Sequence, residues 1–163
     1  MTTKKIALYA LIASVYTVLS LVIAPFSFGQ IQIRLGEALM VLCLIDKDYV
    51  YALTLGCFLT NLIGVITGMD VMVLDIIVGT LATFIAGLLT YHFRNIKTFG
   101  QPIFPLLWVA IINAILVGLE LHFYLQLDLW ANMLYVGIGE IIAVAIGLLL
   151  FKPMKRFFSD IFK

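Results

Sequence analysis

The chain has 163 residues, 64% of them apolar and 12% charged, with a mean hydropathy of +1.17 and a formal net charge of +1. A soluble domain ordinarily carries about 45–50% apolar and about 25% charged residues, so the composition excludes a soluble globular domain and gives one integral membrane domain. Near-neutral charge, with no basic run interleaved with aromatics, leaves no nucleic-acid footprint.

Six helices are expected. The first covers 6–24, behind Lys4 and Lys5, and is long enough for a bilayer core of about 30 Å. Its apolar run is too long for a signal-peptide core and lacks a convincing small-residue cleavage site. Pro25 stops it. Gln30, Gln32 and Arg34 then alternate with Ile31, Ile33 and Leu35, a period-2 pattern that predicts an extended segment with one polar edge. Gly36 frees the backbone, and Glu37 opens a short second helix over 36–45. That helix cannot span a bilayer unless the loop before it dips into the protein. Asp46-Lys47-Asp48 makes a charged turn before a third helix over 49–66, and Thr67 to Asp70 makes the next. The fourth helix covers 71–93, and a basic loop follows over 94–101. Pro102 opens a fifth helix over 102–121, residues 122–128 connect, and a sixth runs over 129–151 before a basic tail. Cys43 and Cys57 lie inside apolar segments without paired spacing and read as small buried hydrophobes. No internal repeat or heptad seam is present.

Charge sets the expected orientation. With the N-terminus inside, Lys4, Lys5, Lys47, Arg94, Lys97, Lys152, Lys155, Arg156 and Lys163 fall on the inner side, nine of the ten basic residues, leaving Arg34 outside. This asymmetry predicts that both termini are cytoplasmic. Tyr49, Tyr51, Tyr91, Trp108 and Trp130 are candidate interface anchors. Glu37, Asp70, Asp75, Glu120, Asp128 and Glu140 lie in the outer half or near the midplane, six acids against one arginine. An electronegative region of this kind suits a cationic ligand, and ionisable groups at membrane depth pair or face a protected cavity.

Several of these residues have two readings. Arg34 and Glu37, three apart, make either a structural ion pair or a pair with Glu37 touching ligand. Asp70 and Asp128 read as solvated loop acids. Asp75, Glu120 and Glu140 either contact ligand or brace helices, and Asn61 and Asn113 either contact ligand or join helices. His122 beside Glu120 reads as a lone interfacial histidine, and no His/Cys/Asp/Glu cluster has metal spacing. Gly79, Thr83, Ala86 and Gly87 make a small-residue face for close helix packing. Ala7, Ala10, Ser14 and Thr17 recur at steps of three or four and form a small-residue stripe on the first helix.

The run Phe26-Ser27-Phe28-Gly29, Ile31-Gln32, Arg34 and Glu37-Ala38-Leu39 resembles the first-loop signature of the QueT family. Fainter likeness extends through Gly56 to Asn61, Asp75 to Gly87, Asn113 and Gly139-Glu140. The resemblance implies the substrate-binding (S) component of an energy-coupling factor (ECF) transporter: an all-α bundle of six transmembrane helices, one domain over 1–163, in the cell membrane. It implies a queuosine precursor as ligand, foremost preQ1 (7-aminomethyl-7-deazaguanine), and an EcfT-like coupling protein with two ATPase subunits as partners. No cofactor or metal is implied. Read from their depth and chemistry, the candidate ligand-facing residues are Phe28, Gln32, Arg34, Glu37, Asn61, Asp75, Asn113, Glu120 and Glu140. Known S components dock through a small-residue patch on this first helix, often Ala-xxx-Ala, and Ala7, Ala10 and Ser14 occupy the comparable place.

The ligand chemistry agrees with these residue types. One carboxylate can accept the ring N–H and exocyclic amine of a guanine-like edge, and another can pair with the aminomethyl cation. An amide can serve the carbonyl, and Phe28 can stack on the base. Individual roles stay open. A membrane-embedded enzyme would need a nucleophile or metal with an ordered partner, which the sequence lacks. A stand-alone proton-coupled carrier using Glu120, His122 or Glu140 would ordinarily show an inverted repeat, and none is visible. There is also no phosphate-cradling Gly-x-x-x-x-Gly-Lys-Ser/Thr motif, so ATP hydrolysis would have to come from partners.

Overall fold

The computed structural model describes residues 3–29, 31–70 and 72–161, with side chains as far as Arg156. Gln30 and Val71 therefore lie outside the described residues. The helices are α1 (Thr3–Val22), α2 (Ala24–Ser27), a 3-10 helix (Leu35–Leu44), α3 (Asp48–Thr67), α4 (Asp75–His92), α5 (Ile103–Leu125) and α6 (Leu129–Ile161). Five of them, α1, α3, α4, α5 and α6, are long and apolar enough to cross a membrane.

The expected six spans thus become five and a shorter buried piece. The second expected helix is the 3-10 helix, ten residues long. At about 2.0 Å rise per residue it reaches roughly 20 Å, where the same residues as an α-helix would reach roughly 15 Å. It packs against α1, α3, α4, α5 and α6 and lies at the centre of the bundle. Around it α1–α3, α3–α4, α4–α5 and α5–α6 are neighbours, and the central helix bridges α6 to α1. Its backbone can approach α6 because residue 147 is glycine: a Cβ there would overlap the Ala38 carbonyl.

Other boundaries shift for local reasons. Val22 ends α1, and Pro25 falls in the first turn of the separate α2, where its missing N–H costs nothing. Helix α4 begins at Asp75 rather than 71, because Asp70 Oδ1 accepts the Met72 N–H (2.8 Å) and holds a turn ahead of it. Gly68 closes α3 at φ 72°. Helix α6 continues ten residues past 151, through Pro153. The expected extended polar edge does not form. Gln32 adopts φ 46°, its N–H donates to the Gly29 carbonyl (3.1 Å), and the Ile33 N–H donates to the Phe26 carbonyl (3.0 Å). The segment is a folded loop laid on the bundle.

Apolar side chains cover the outside, among them Leu11, Val22, Ile66, Ile77, Trp130 and Leu149. The interior holds Gln32, Arg34, Glu37, Asn61, Asp75 and Glu140. This inside-out polarity is what a lipid environment selects. Of the proposed interface anchors, Trp130 is exposed, whereas Tyr49 is fully buried and packs edge-on against Tyr9 at 5.8 Å.

Candidate binding site

The polar interior is assembled at the end of the bundle where α4 begins and α5 ends. Arg34 stands just before the 3-10 helix and is 1% exposed. Its Nη2 pairs with Asp75 Oδ2 in the first turn of α4. Its Nε donates to the Ser27 carbonyl (3.4 Å) and its Nη1 approaches Cys57 Sγ (3.7 Å). The guanidinium also lies 5.8 Å from the Phe28 ring centroid. Asn61 Nδ2 donates to the Asp75 carbonyl (2.7 Å) and contacts Cys57 Sγ (3.6 Å).

Gly79 makes this convergence fit. A Cβ at that position would overlap Asp75 Oδ1 and stand 2.8 Å from Asn61 Nδ2 and 3.2 Å from Arg34 Nη1. The glycine is required by the polar groups around it as much as by helix packing.

Glu37 does not pair with Arg34 in the way its spacing suggested. Its Oε1 accepts the Tyr16 hydroxyl (2.6 Å) and the Thr83 hydroxyl (2.8 Å), while Oε2 has no partner. Helices α1 and α4 thus clamp one oxygen and leave the other open. Glu140 on α6 is buried with Oε2 unpartnered, in electrostatic range of Glu37, Arg34 and Asp75. Residue 139 beside it is glycine, and the Ile31 and Gln32 carbonyls lie where a Cβ would be. Gln32 is buried with both side-chain amide atoms unpartnered.

Glu120 and Asp70 each come within hydrogen-bonding reach of the Asp75 carboxyl. When all three are ionised, no donor stands between them: Asp75 Oδ1, Asp70 Oδ2 and both Glu120 oxygens are unpartnered. Asp70 is 4% exposed, so the solvated-acid reading fails for it. Burial raises its pKa from the usual 3.8 to about 6, opposed by the Met72 N–H bond and by Arg34. Asp128, by contrast, is exposed and accepts the Ala131 N–H (2.8 Å) at the start of α6.

The remaining expectations divide. Phe28 lies beside Arg34, its ring filling the space left by Gly64. Asn113 is buried, but its Nδ2 bonds the Val109 carbonyl of its own helix (2.9 Å), and no described contact joins it to the cluster. His122 Nδ1–H donates to the Leu127 carbonyl (2.6 Å) and ties down the α5–α6 connection. Ala7, Ala10 and Ser14 are exposed, whereas Thr17 turns inward and donates to Ala13 and Gly56 carbonyls (2.9 and 3.1 Å). The stripe therefore splits into an outward triplet and an inward threonine. Among the described residues no group of three potential metal ligands forms a metal site.

Tyr16 and Thr83, which no motif in the sequence marks as site residues, both donate to Glu37 Oε1. Ile12, Ala13, Tyr16, Thr17 and Ser20 recur at helical spacing and are all buried. That stripe marks the inner face of α1 and carries a hydroxyl inward at Tyr16.

A multi-pass helical bundle with a dry lipid-facing surface and a buried arginine–carboxylate cluster is the design of a membrane protein that holds a polar solute within its interior. The sequence profile of the QueT transporter family matches residues 6–156. The chain is similar to the queuosine precursor transporter QueT of Lactococcus lactis subsp. cremoris, 27% identical over 159 residues that cover 89% of this chain and 88% of that protein. No solved structure matches significantly. The chain belongs to the QueT transporter family, and it is a transporter rather than an enzyme.

Proposed function

We propose that this chain is the substrate-capturing S component of an ECF-type importer for a queuosine precursor, with preQ1 as the favoured ligand. The carrying observation is the excess of buried carboxylates. Glu37, Asp70, Asp75, Glu120 and Glu140 surround one guanidinium, and each presents at least one oxygen without a donor. A buried carboxylate without a donor is costly, so the arrangement suits a solute that brings several N–H groups and a positive charge. A 7-aminomethyl-7-deazaguanine offers both. In this reading the whole chain is one S-component domain with cytoplasmic termini in the cell membrane. An EcfT-like coupling protein docks on Ala7, Ala10 and Ser14, and two ATPases supply the energy.

Equilibrium binding of preQ1 to the purified protein, with guanine and riboflavin as competitors, tests the ligand. Guanine lacks the aminomethyl cation and is expected to bind at least tenfold more weakly; equal binding of the two would overturn the cationic reading. Reconstitution in vesicles tests the mechanism. Uptake is expected only with the coupling protein, the ATPases and ATP, and uptake by the chain alone would overturn the S-component assignment.

A further inference from the structure

At the opposite end from the carboxylates, the bundle encloses a second polar space. A cavity of about 460 Å³ lies among the end of the 3-10 helix, the α4–α5 connection and α6, lined by Leu44, Arg94, Lys97, Pro102, Phe151 and Lys155. Arg94 is half-buried and held in place: its Nη1 donates to the Tyr91 carbonyl (3.0 Å) and its guanidinium lies 3.9 Å from the Tyr91 ring centroid. That uses one of its five N–H donors. Among the described residues no carboxylate pairs with Arg94, Lys97 or Lys155. Among the described residues, three cations therefore line one cavity with no carboxylate at salt-bridge distance.

A second space adjoins it. An apolar groove of about 150 Å³ runs between α5 and α6, lined by residues that include Ile103, Leu107, Ala145 and Leu148. It begins one residue after Pro102 on α5 and one turn before Phe151 on α6, so the two spaces follow each other along the same pair of helices.

We infer that this pair of spaces is a binding site for an anionic phospholipid, its phosphate among Arg94, Lys97 and Lys155 and an acyl chain in the α5–α6 groove. Basic pockets at one membrane boundary attract anionic headgroups, and the phosphate geometry suits an arginine fork flanked by lysines. Free phosphate shares the headgroup's charge but has no use for the groove. The groove is what selects a lipid.

The test is native mass spectrometry on the purified, delipidated full chain, offered phosphatidylglycerol or phosphatidylcholine. Phosphatidylglycerol is expected to bind about tenfold or more tightly than phosphatidylcholine. Arg94→Gln, Lys97→Gln and Lys155→Gln are each expected to weaken it about fivefold. Lys97 and Lys155 are exposed, so these two variants keep the fold even if Arg94→Gln does not. Ala145→Phe, at an exposed groove position, is expected to lower phosphatidylglycerol binding with all three cations present. Inorganic phosphate and glycerophosphoglycerol at equal concentration are expected to leave the bound lipid in place. Equal binding of the two lipids, a preference that survives loss of both lysines, or displacement by free phosphate would each overturn the inference.

Discussion

Arg34 and Asp75 form a buried ion pair across 41 positions of sequence, tying the first loop to the first turn of α4. The pair does more than balance charge. It fixes Asp75 Oδ2 and leaves Oδ1 open toward Asn61 and Gly79, so one carboxylate is half committed to structure and half free. Breaking a buried pair from one side leaves an uncompensated charge and typically costs about 3–5 kcal/mol. Arg34→Met is expected to destabilise the protein on that scale, read as a fall in the thermal midpoint in detergent. Arg34→Met with Asp75→Asn is expected to recover much of the stability while preQ1 binding stays lost. Equal instability of the single and double variants would contradict the pairing.

Gly79 is the second expectation. Gly79→Ala places a methyl group against Asp75 Oδ1, Asn61 Nδ2 and Arg34 Nη1. Overpacking of this kind costs about 1–3 kcal/mol, and here the displaced atoms belong to the proposed site. Binding is expected to fall more than tenfold. Gly87→Ala, on the same helix, meets only Val50 and Met40 side-chain atoms at 3.0–3.4 Å and is expected to leave affinity within about twofold. Similar losses in both variants would assign Gly79 to packing alone.

These two positions show how far the sequence reached. Long apolar runs and their charged turns are local signals, so the five long apolar helices were legible, whereas the sixth expected span, 36–45, is a short buried helix. The 3-10 form of Leu35–Leu44 was not, because it depends on contact with five surrounding helices. Nor was the partner of Arg34: Glu37, three residues away, is the local choice, and only the tertiary fold brings Asp75 closer. Asp70 looked solvated because it ends a turn, yet that turn folds back over the cluster.

Glu37 gives a third expectation. Tyr16 and Thr83 donate to the same oxygen, Oε1, which aims Oε2 for another donor. Tyr16→Phe or Thr83→Val removes one donor to a buried acceptor, at a cost of about 1–3 kcal/mol. Both together are expected to lower preQ1 affinity by more than the product of the single effects, since Glu37 is then free to turn. Strict additivity in a double-mutant cycle would mean that the two hydroxyls do not jointly orient Glu37.

On the proposed docking role, substitutions in the outward triplet on α1 are expected to separate capture from delivery. Ala10→Leu with Ser14→Leu adds bulk to exposed positions and leaves the inward face of Tyr16 and Thr17 alone. Binding of preQ1 by the isolated chain is expected to stay within about twofold, while ATP-driven uptake in the full complex falls at least tenfold, as bulky residues break close helix contacts. Unchanged uptake would remove this face from the docking surface.

Asp70 gives a fifth expectation, a pH dependence of ligand binding. Its pKa is raised from 3.8 to about 6, first by burial, with Asp75 adding to the rise and Arg34 and the Met72 N–H opposing it. The folded chain therefore holds this proton at pH values where the unfolded chain has lost it. The Asp70 contribution to stability is largest below about pH 4, falls as pH rises toward about 6, and is flat above. Ligand binding runs the other way. A cation near Asp70 favours its ionised form, so preQ1 affinity is expected to rise from pH 5 to about 6.5 and then level, with proton release on binding in the lower part of that range. Asp70→Asn is expected to remove that part of the pH dependence while Asp75 and Glu120 remain. Calorimetry in buffers of different ionisation enthalpy measures the proton count directly. Release undiminished in Asp70→Asn would place the titrating group elsewhere in the cluster.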